Sequence, residues 1–545
     1  MSATIWKRIT FASIAVLWVV GIGYTLSKPV HLDETNFLAM VQGEFWRPHN
    51  ILINWEGQTQ RAFDVLSNPP GMVWLLWPFK NGPIWLMRLW VLPWLILAIW
   101  GMYKIASIWN KGQDMLLLCA CSPFLAISAT TLMPDMVLFA CVVVGIGPLI
   151  ALEYSVSRDK QIPIYASVFL GLSPLFRYSG LALLPVSVLW LFYRKPTRYW
   201  LHSLIICVPT MLLCAHDLCV YGQWHFWHMI AFQQEQASFT SFFHKILAFS
   251  AMLIGYIPCV LGIGGWWLWQ RNMRISIIKI VSIVVVLVCF LGVVYDHQFI
   301  EQIDGLAIGW NILCIVMGCG LILQSIQYFG KQKQYIFVLW LVGGCVFLLS
   351  LRFAATRYWV PFVVPVYIYT IQEIIPLLEK KILYILGIFF SFLSWGLAWD
   401  DMLFAQAQQM LVQQSKQACV DIQQRYTIQD FYYAGHWGFQ YYFEIENWKI
   451  VENDTIIPNG VCSVRSLRSW PQETLDDCWQ YTEILTYSPS DVLLYSPFRV
   501  HSPTMNSNYH SYMISDSPPI PTFAPWAISY DMWDQVLLRV SCNRR

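Results

Sequence analysis

From residue 10 to residue 399 the chain is a succession of apolar runs separated by short basic or Gly/Pro-containing turns. Runs of this length and character predict membrane-crossing helices. They fall near 9–26, 84–103, 114–131, 136–152, 163–176, 179–193, 200–220, 246–268, 276–294, 306–324, 335–351, 358–377 and 382–399, about 13 crossings. The runs at 163–176 and 179–193 are short for a full crossing. Residues 69–79 are apolar too, but at roughly 11 residues they are too short to span, so this segment dips into the bilayer or lies along it. From Asp400 onward apolar runs stop, and Asp, Gln, Ser and Pro become frequent. The expected architecture is mainly α: a polytopic helical bundle over 1–399, then a soluble α/β domain over 400–545.

Composition supports a membrane protein, with 57% hydrophobic and only 12% charged residues and a mean hydropathy of +0.49. Its 29 Trp and 27 Tyr suit interfacial belts. A net charge of +2 makes no electrostatic case for a nucleic-acid partner. Trp6, Lys7 and Arg8 lead into the first apolar run with no small-residue cleavage site after it, which reads as a retained helix with a cytoplasmic N-terminus. If the later basic clusters are cytoplasmic as well, Asp33, Glu34, Asp135, Arg177, Arg352 and Arg357 all reach the outer face. So does the loop from Tyr221 to Lys245, with His225, His228, Glu235 and His244. Charges at a bilayer face are costly, so their convergence from distant parts of the chain suggests a site. The histidine spacing matches no tight zinc motif.

The first outer loop covers 28–83. After His31-Leu32-Asp33-Glu34-Thr35, the residues Phe37, Leu38, Met40, Val41 and Phe45 recur at helical spacing. That pattern predicts an amphipathic helix on the membrane surface. Asp33 or Thr35 is then either a helix N-cap or, for Asp33, a functional acid, and Asp135 after Pro134 poses the same choice. The loop also carries Trp46, Trp55, Glu56 and Arg61, and closes on Asn68-Pro69-Pro70, an extended entry to the next segment.

Taken in order, Asp33-Glu34, Asn68-Pro69-Pro70, Pro134-Asp135-Met136, Arg177-Tyr178-Ser179-Gly180 before Leu183-Leu184-Pro185, and Arg357-Tyr358-Trp359-Val360-Pro361 resemble the motifs of GT-C polytopic glycosyltransferases. The resemblance lies near the protein mannosyltransferases and the bacterial aminoarabinose transferase of lipid A, and covers roughly residues 5–400. Asn68 stands where many relatives have Lys or His, and Arg177 where many have Lys. No Trp-Trp-Asp-Tyr-Gly segment of the oligosaccharyltransferase kind is present.

The resemblance implies a polyprenyl-phosphate sugar donor, a glycolipid, glycan or protein acceptor, and inverting transfer at the outer face. It assigns Asp33 as base, with Glu34 orienting it or binding acceptor. Asp135 becomes a second acid, a metal ligand or an acceptor contact. Arg177, Arg352 and Arg357 bind the donor phosphate, and Asn68 and His31 position acceptor or loop. The resemblance names no certain cofactor; a divalent Mg or Mn, with Asp33 and Asp135 as candidate ligands, stays open. A bacterial inner membrane with a periplasmic C-terminal domain fits the predicted topology. The alternative is a transporter or flippase of lipid-linked glycans, in which the acids line a path; polar residues gathered at one face favour the enzyme.

In the tail, Gly435-His436-Trp437-Gly438 among tyrosines is either a sugar-stacking surface or a turn in a small core. Val492–Tyr495 reads as a buried strand and 401–424 as a Gln-rich helix. Cys419, Cys462, Cys478 and Cys542 allow one or two disulfides of unassigned connectivity.

Overall fold

The computed structural model describes residues 3–55, 57–154, 162–194, 196–234, 239–258, 305–351, 354–426, 428, 430–453, 457–468, 479–492, 496–502, 505, 507–510 and 523–542. Glu56, Glu235, Arg352, Cys478, the predicted crossing 276–294 and the core of the predicted strand at 493–495 lie outside these residues. So do Arg158, Lys160, Lys195, Arg271, Arg274 and Lys279 from the basic clusters.

Six described helices are long and apolar enough to cross a membrane: Ile5–Thr25, Ile84–Ser107, Asp135–Glu153, Tyr199–Tyr221, Ala307–Lys331 and Lys380–Gln423. The chain is a multi-pass membrane protein built as a helical bundle. Hydropathy alone does not rank these helices by depth. Asp135–Glu153 is buried on nearly every side, whereas the first helix leaves Val16, Val19 and Val20 exposed. A helix apolar all round belongs at the centre of such a bundle.

Two predicted crossings are broken. Residues 114–131 form two short helices, Gly112–Ala120 and Pro123–Ser128. Pro123 cannot donate into a preceding helix, and it forces Ser122 into an extended conformation. Residues 358–377 form a 3₁₀ turn, the short helix Val364–Tyr369, a π turn and a further 3₁₀ turn, interrupted by Pro361, Pro365 and Pro376. The segment at 69–79 gives only Gly71–Leu76 and one 3₁₀ turn. A Cβ on Gly71 would run into the Leu175 carbonyl oxygen, so glycine permits this helix to touch the end of Ile164–Phe176.

The helix predicted for the first outer loop forms at Glu34–Gln42, but it does not lie on a surface. Seven of its nine residues are buried. It is held between the bundle and the C-terminal domain, where apolar and polar faces alike find protein.

Residues 382–399 and 401–424 join into one 44-residue helix, Lys380–Gln423. Its first part packs along the N-terminal helix, with Trp395 edge-on to Trp18. Its second part is the spine of the C-terminal core, where Leu403, Leu411 and Val412 meet Phe439, Phe443, Val536 and Leu538. The five-stranded sheet runs in the order Lys449–Ile450, Asp430–Ala434, Val461–Ser466, Asp534–Ser541, Trp479–Tyr487. Its first three strands are parallel and the last two antiparallel to their neighbours. Val536, Leu538 and Val540 alternate inward, the period-two pattern of a half-buried strand. Cys419 and Cys462 form a disulfide between helix and sheet.

The last part of the chain returns to the bundle. Asn311 donates to the Met505 carbonyl and accepts from the Phe523 and Ala524 amides, and Trp310 donates to the Trp526 carbonyl. Val500, Tyr509, Phe523 and Trp526 thereby enter the core of the bundle.

Candidate active site

The site begins at a strained residue. Leu32 has φ 53°, in the left-handed region, which costs a branched side chain about 1–3 kcal/mol. This bend brings His31, Asp33 and Glu34 out in three directions. Asp33 occupies the N-cap position of Glu34–Gln42, but its carboxylate makes no capping hydrogen bond. Instead it accepts from Arg357 Nη2 at 2.8 Å. Asp135 likewise caps nothing; it is the first helical residue after Pro134, and its Oδ1 stands 2.8 Å from Arg177 Nε. That contact is an ion pair without hydrogen-bond alignment, since both atoms lack a properly oriented partner.

Tyr358 lies between the two arginines. The Arg177 guanidinium sits 5.0 Å from its ring centre and that of Arg357 5.6 Å. Cation–π contact holds two like charges near each other that would otherwise separate. The result is a row: Asp33, Arg357, Tyr358, Arg177, Asp135. Arg177 is placed by backbone geometry. It ends the helix Ile164–Phe176 in an extended conformation before the turn Tyr178–Ala182. Tyr178 is fixed by its hydroxyl, 2.7 Å from His225 Nδ1.

Glu34 has a different task. Arg88 binds it with two hydrogen bonds, Nη1 to Oε1 at 3.0 Å and Nη2 to Oε2 at 2.9 Å, and neither side chain reaches solvent. The Leu132 amide donates to Oε1 at 2.8 Å, and Arg88 also donates to the Thr130 carbonyl. Burial alone would push the Glu34 carboxyl up. The facing Arg88 guanidinium outweighs it, helped by His31 and Lys28, and holds the group well below the usual carboxylate range. This pair therefore ties the Asp33 segment to the 130–135 segment, which is why the two remaining acids share one site. Arg88 escapes a reading by loops because it lies inside an apolar run; a lone arginine there is the signal that marks it.

The other predicted positions fall nearby but face elsewhere. The Asn68 carbonyl accepts from His49 Nε2 at 2.8 Å, so Asn68 fixes the loop before Pro69. His31 is buried and its Nε2 lies 3.0 Å from Asp401 Oδ1. His225 packs against His49 and Phe63, and His228 meets Asp64 at 3.4 Å. Neither histidine joins a metal-ligating group among the described residues. Asp33 and Asp135 do not either: each faces a guanidinium, so a divalent ion between them would have to displace an arginine.

The C-terminal region supplies residues absent from the motif reading. Tyr509 is buried close to Asp401, Asp135 and Arg357; burial first, then the two carboxylates, push its hydroxyl well above the usual tyrosine range. The Gly435–Gly438 turn is a packing element. A Cβ on Gly438 would stand 2.5 Å from the Val30 carbonyl oxygen, and the Tyr442 hydroxyl accepts from the Val30 amide at 2.8 Å.

No protein-family model matches the chain, and no curated protein matches it in sequence. Among solved structures it is similar to the crystal structure of ArnT from Cupriavidus metallidurans bound to undecaprenyl phosphate, at 16% identity, TM-score 0.43, over 86% of this chain and 94% of that one. It is similar also to the apo state of ArnT from Cupriavidus metallidurans, at 15% identity and TM-score 0.39 over the same shares, 86% and 94%. These are structures of the lipid A aminoarabinose transferase class, of GT-C fold, that the motifs resemble.

Proposed function

We propose that this chain is an integral-membrane glycosyltransferase that moves a hexosyl or pentosyl group from a polyprenyl-phosphate donor to a glycolipid, glycan or protein acceptor. The observation that carries this reading is the Asp33–Arg357 pair: an acid free of capping duty, held on an arginine, with both side chains about one-eighth exposed (12% and 13%) while the neighbouring Asp135 is sealed at 2%.

An arriving phosphate competes with Asp33 for Arg357 and with Asp135 for Arg177, since guanidinium binds phosphate in the same forked geometry as carboxylate. Donor binding thus releases the Asp33 carboxylate at the moment a base is needed. The acceptor hydroxyl gives its proton to Asp33 while its oxygen bonds the anomeric carbon. The bond from that carbon to the phosphate oxygen breaks on the opposite side, inverting the centre. The electron pair leaves with the polyprenyl phosphate, whose growing charge Arg357 and Arg177 stabilise. Arg352 is assigned to the same phosphate by its place in the sequence. Glu34 orients Asp33, and Asn68 and His31 position the loop around it. The reaction takes place at the outer face of a bacterial inner membrane, with the N-terminus cytoplasmic and the C-terminal domain periplasmic; the Cys419–Cys462 disulfide supports an oxidising compartment.

The test is transfer of label from a panel of polyprenyl-phosphate sugars by the protein in nanodiscs. Asp33→Asn is expected to lower turnover by about 10²-fold or more while leaving donor-lipid binding near that of the unmodified protein. Equal turnover by both proteins removes Asp33 from the chemistry.

A further inference from the structure

Two residues before Asp33, three buried side chains from three distant parts of the chain meet at one point. His31 follows the first helix, Asp401 lies midway along Lys380–Gln423, and His510 belongs to the segment that returns to the bundle. His31 Nε2 and His510 Nε2 approach the same carboxylate oxygen, Asp401 Oδ1, at 3.0 and 2.6 Å. One ligand atom from each residue lies within 4.8 Å of the other two. Lys28 binds the second oxygen, Oδ2, which leaves Oδ1 to face the imidazoles.

We propose that His31, Asp401 and His510 form a site for a zinc-class divalent ion. Two imidazoles and one carboxylate are a donor set that suits zinc, with water as fourth ligand. Ligand atoms about 2 Å from a tetrahedral ion stand roughly 3.3 Å apart, so shifts of about an ångström seat all three.

The surroundings of His31 suit a ligand. Its Nδ1 is buried with no hydrogen-bond partner. With metal on Nε2, Nδ1 would carry the proton and face Glu34 Oε2, 3.9 Å away. A carboxylate behind the non-ligating nitrogen is the usual outer partner of a metal-bound histidine. The ion would join the Asp33 loop, the long helix and the C-terminal segment at one point. The site stands independently of any transfer chemistry.

The experiment uses the full-length protein in nanodiscs, with zinc and cobalt as probes. Metal content after dialysis is expected to be one zinc per chain, with visible d–d bands of a four-coordinate cobalt site after exchange. His510→Ala and His31→Ala are expected to lose both, whereas His228→Ala, outside the cluster, retains them. Chelation of the unmodified protein should lower its thermal midpoint, and zinc should restore it, as expected for an ion bound to the folded state alone; this reading needs no variant to fold. A folded unmodified protein that takes up neither metal overturns the proposal. Uptake that is equal when both histidines are replaced overturns it too.

Discussion

Asp33 and Glu34 are adjacent in sequence and opposite in circumstance. Asp33 meets Arg357 at the partly open end of the row, whereas Glu34 is sealed with Arg88 and holds two chain segments together. Removing one partner of a buried pair strands the other. Glu34→Ala should therefore cost about 3–5 kcal/mol of stability, seen as a fall in thermal midpoint. The double change Glu34→Gln with Arg88→Met should recover much of that loss, because no buried charge remains. A single change as mild as the double one would show that the pair is not a structural tie. Asp135, Arg177 and Arg357 draw the eye in the sequence because each charge stands at the end of an apolar run, and Asp33 because it is an acid in the loop just after one. Arg88, Asp401 and His510 do so less. Arg88 hides inside a run, and the other two matter only through partners hundreds of residues away, a pairing that no local pattern encodes.

At the scale of elements, several long runs became helices even with a proline inside them (Pro93, Pro148 and Pro209), so proline alone does not tell a broken run from an intact one. Pro123, Pro361 and Pro365 mark the breaks that length and hydropathy passed over. The surface helix was mislaid for another reason. Its period was right, but the chain buries its polar side with a domain whose position only tertiary structure reveals. Another element-level feature supports Arg177: His225 braces Tyr178, and His49 lies against His225 with ring centres 4.6 Å apart. Burial holds both imidazoles below their ordinary range, and for His225 the facing His49 adds to the effect. A depressed histidine contributes its full stability above its unfolded value, about 6.5, and loses it as pH falls toward the folded value. The thermal midpoint should accordingly decline as pH drops below about 6.5, and His225→Phe should flatten that slope. A midpoint unchanged down to the onset of general acid unfolding would count against neutral, buried histidines here.

For the whole molecule, the bundle and the C-terminal domain meet around the segment that carries Asp33. Val30 is gripped by Tyr442 and pressed by Gly438, and Lys28 and His31 are bound to Asp401. Gly438→Ala forces a methyl group against the Val30 carbonyl and should cost about 1–3 kcal/mol. Limited proteolysis of the first outer loop should speed up in that variant, and an unchanged cleavage rate would show that the contact does not hold the loop. Composition changes at Asp400, but a change in composition is not a joint.

Lys380–Gln423 is a single rod of 44 residues, roughly 66 Å long at 1.5 Å per residue. It passes through the point where a designer of truncations would cut. Severing it between residues 399 and 400 strips Asp400 and Asp401 of the helix that presents them. The C-terminal fragment would keep the spine of its core but lose Lys28 and His31 as partners of Asp401, and the N-terminal fragment would leave those two buried side chains without their carboxylate. The two halves are therefore poor candidates for separate expression or for exchange with another protein's tail. A chimaera has to carry the whole rod with one parent, together with the loop that rests on it.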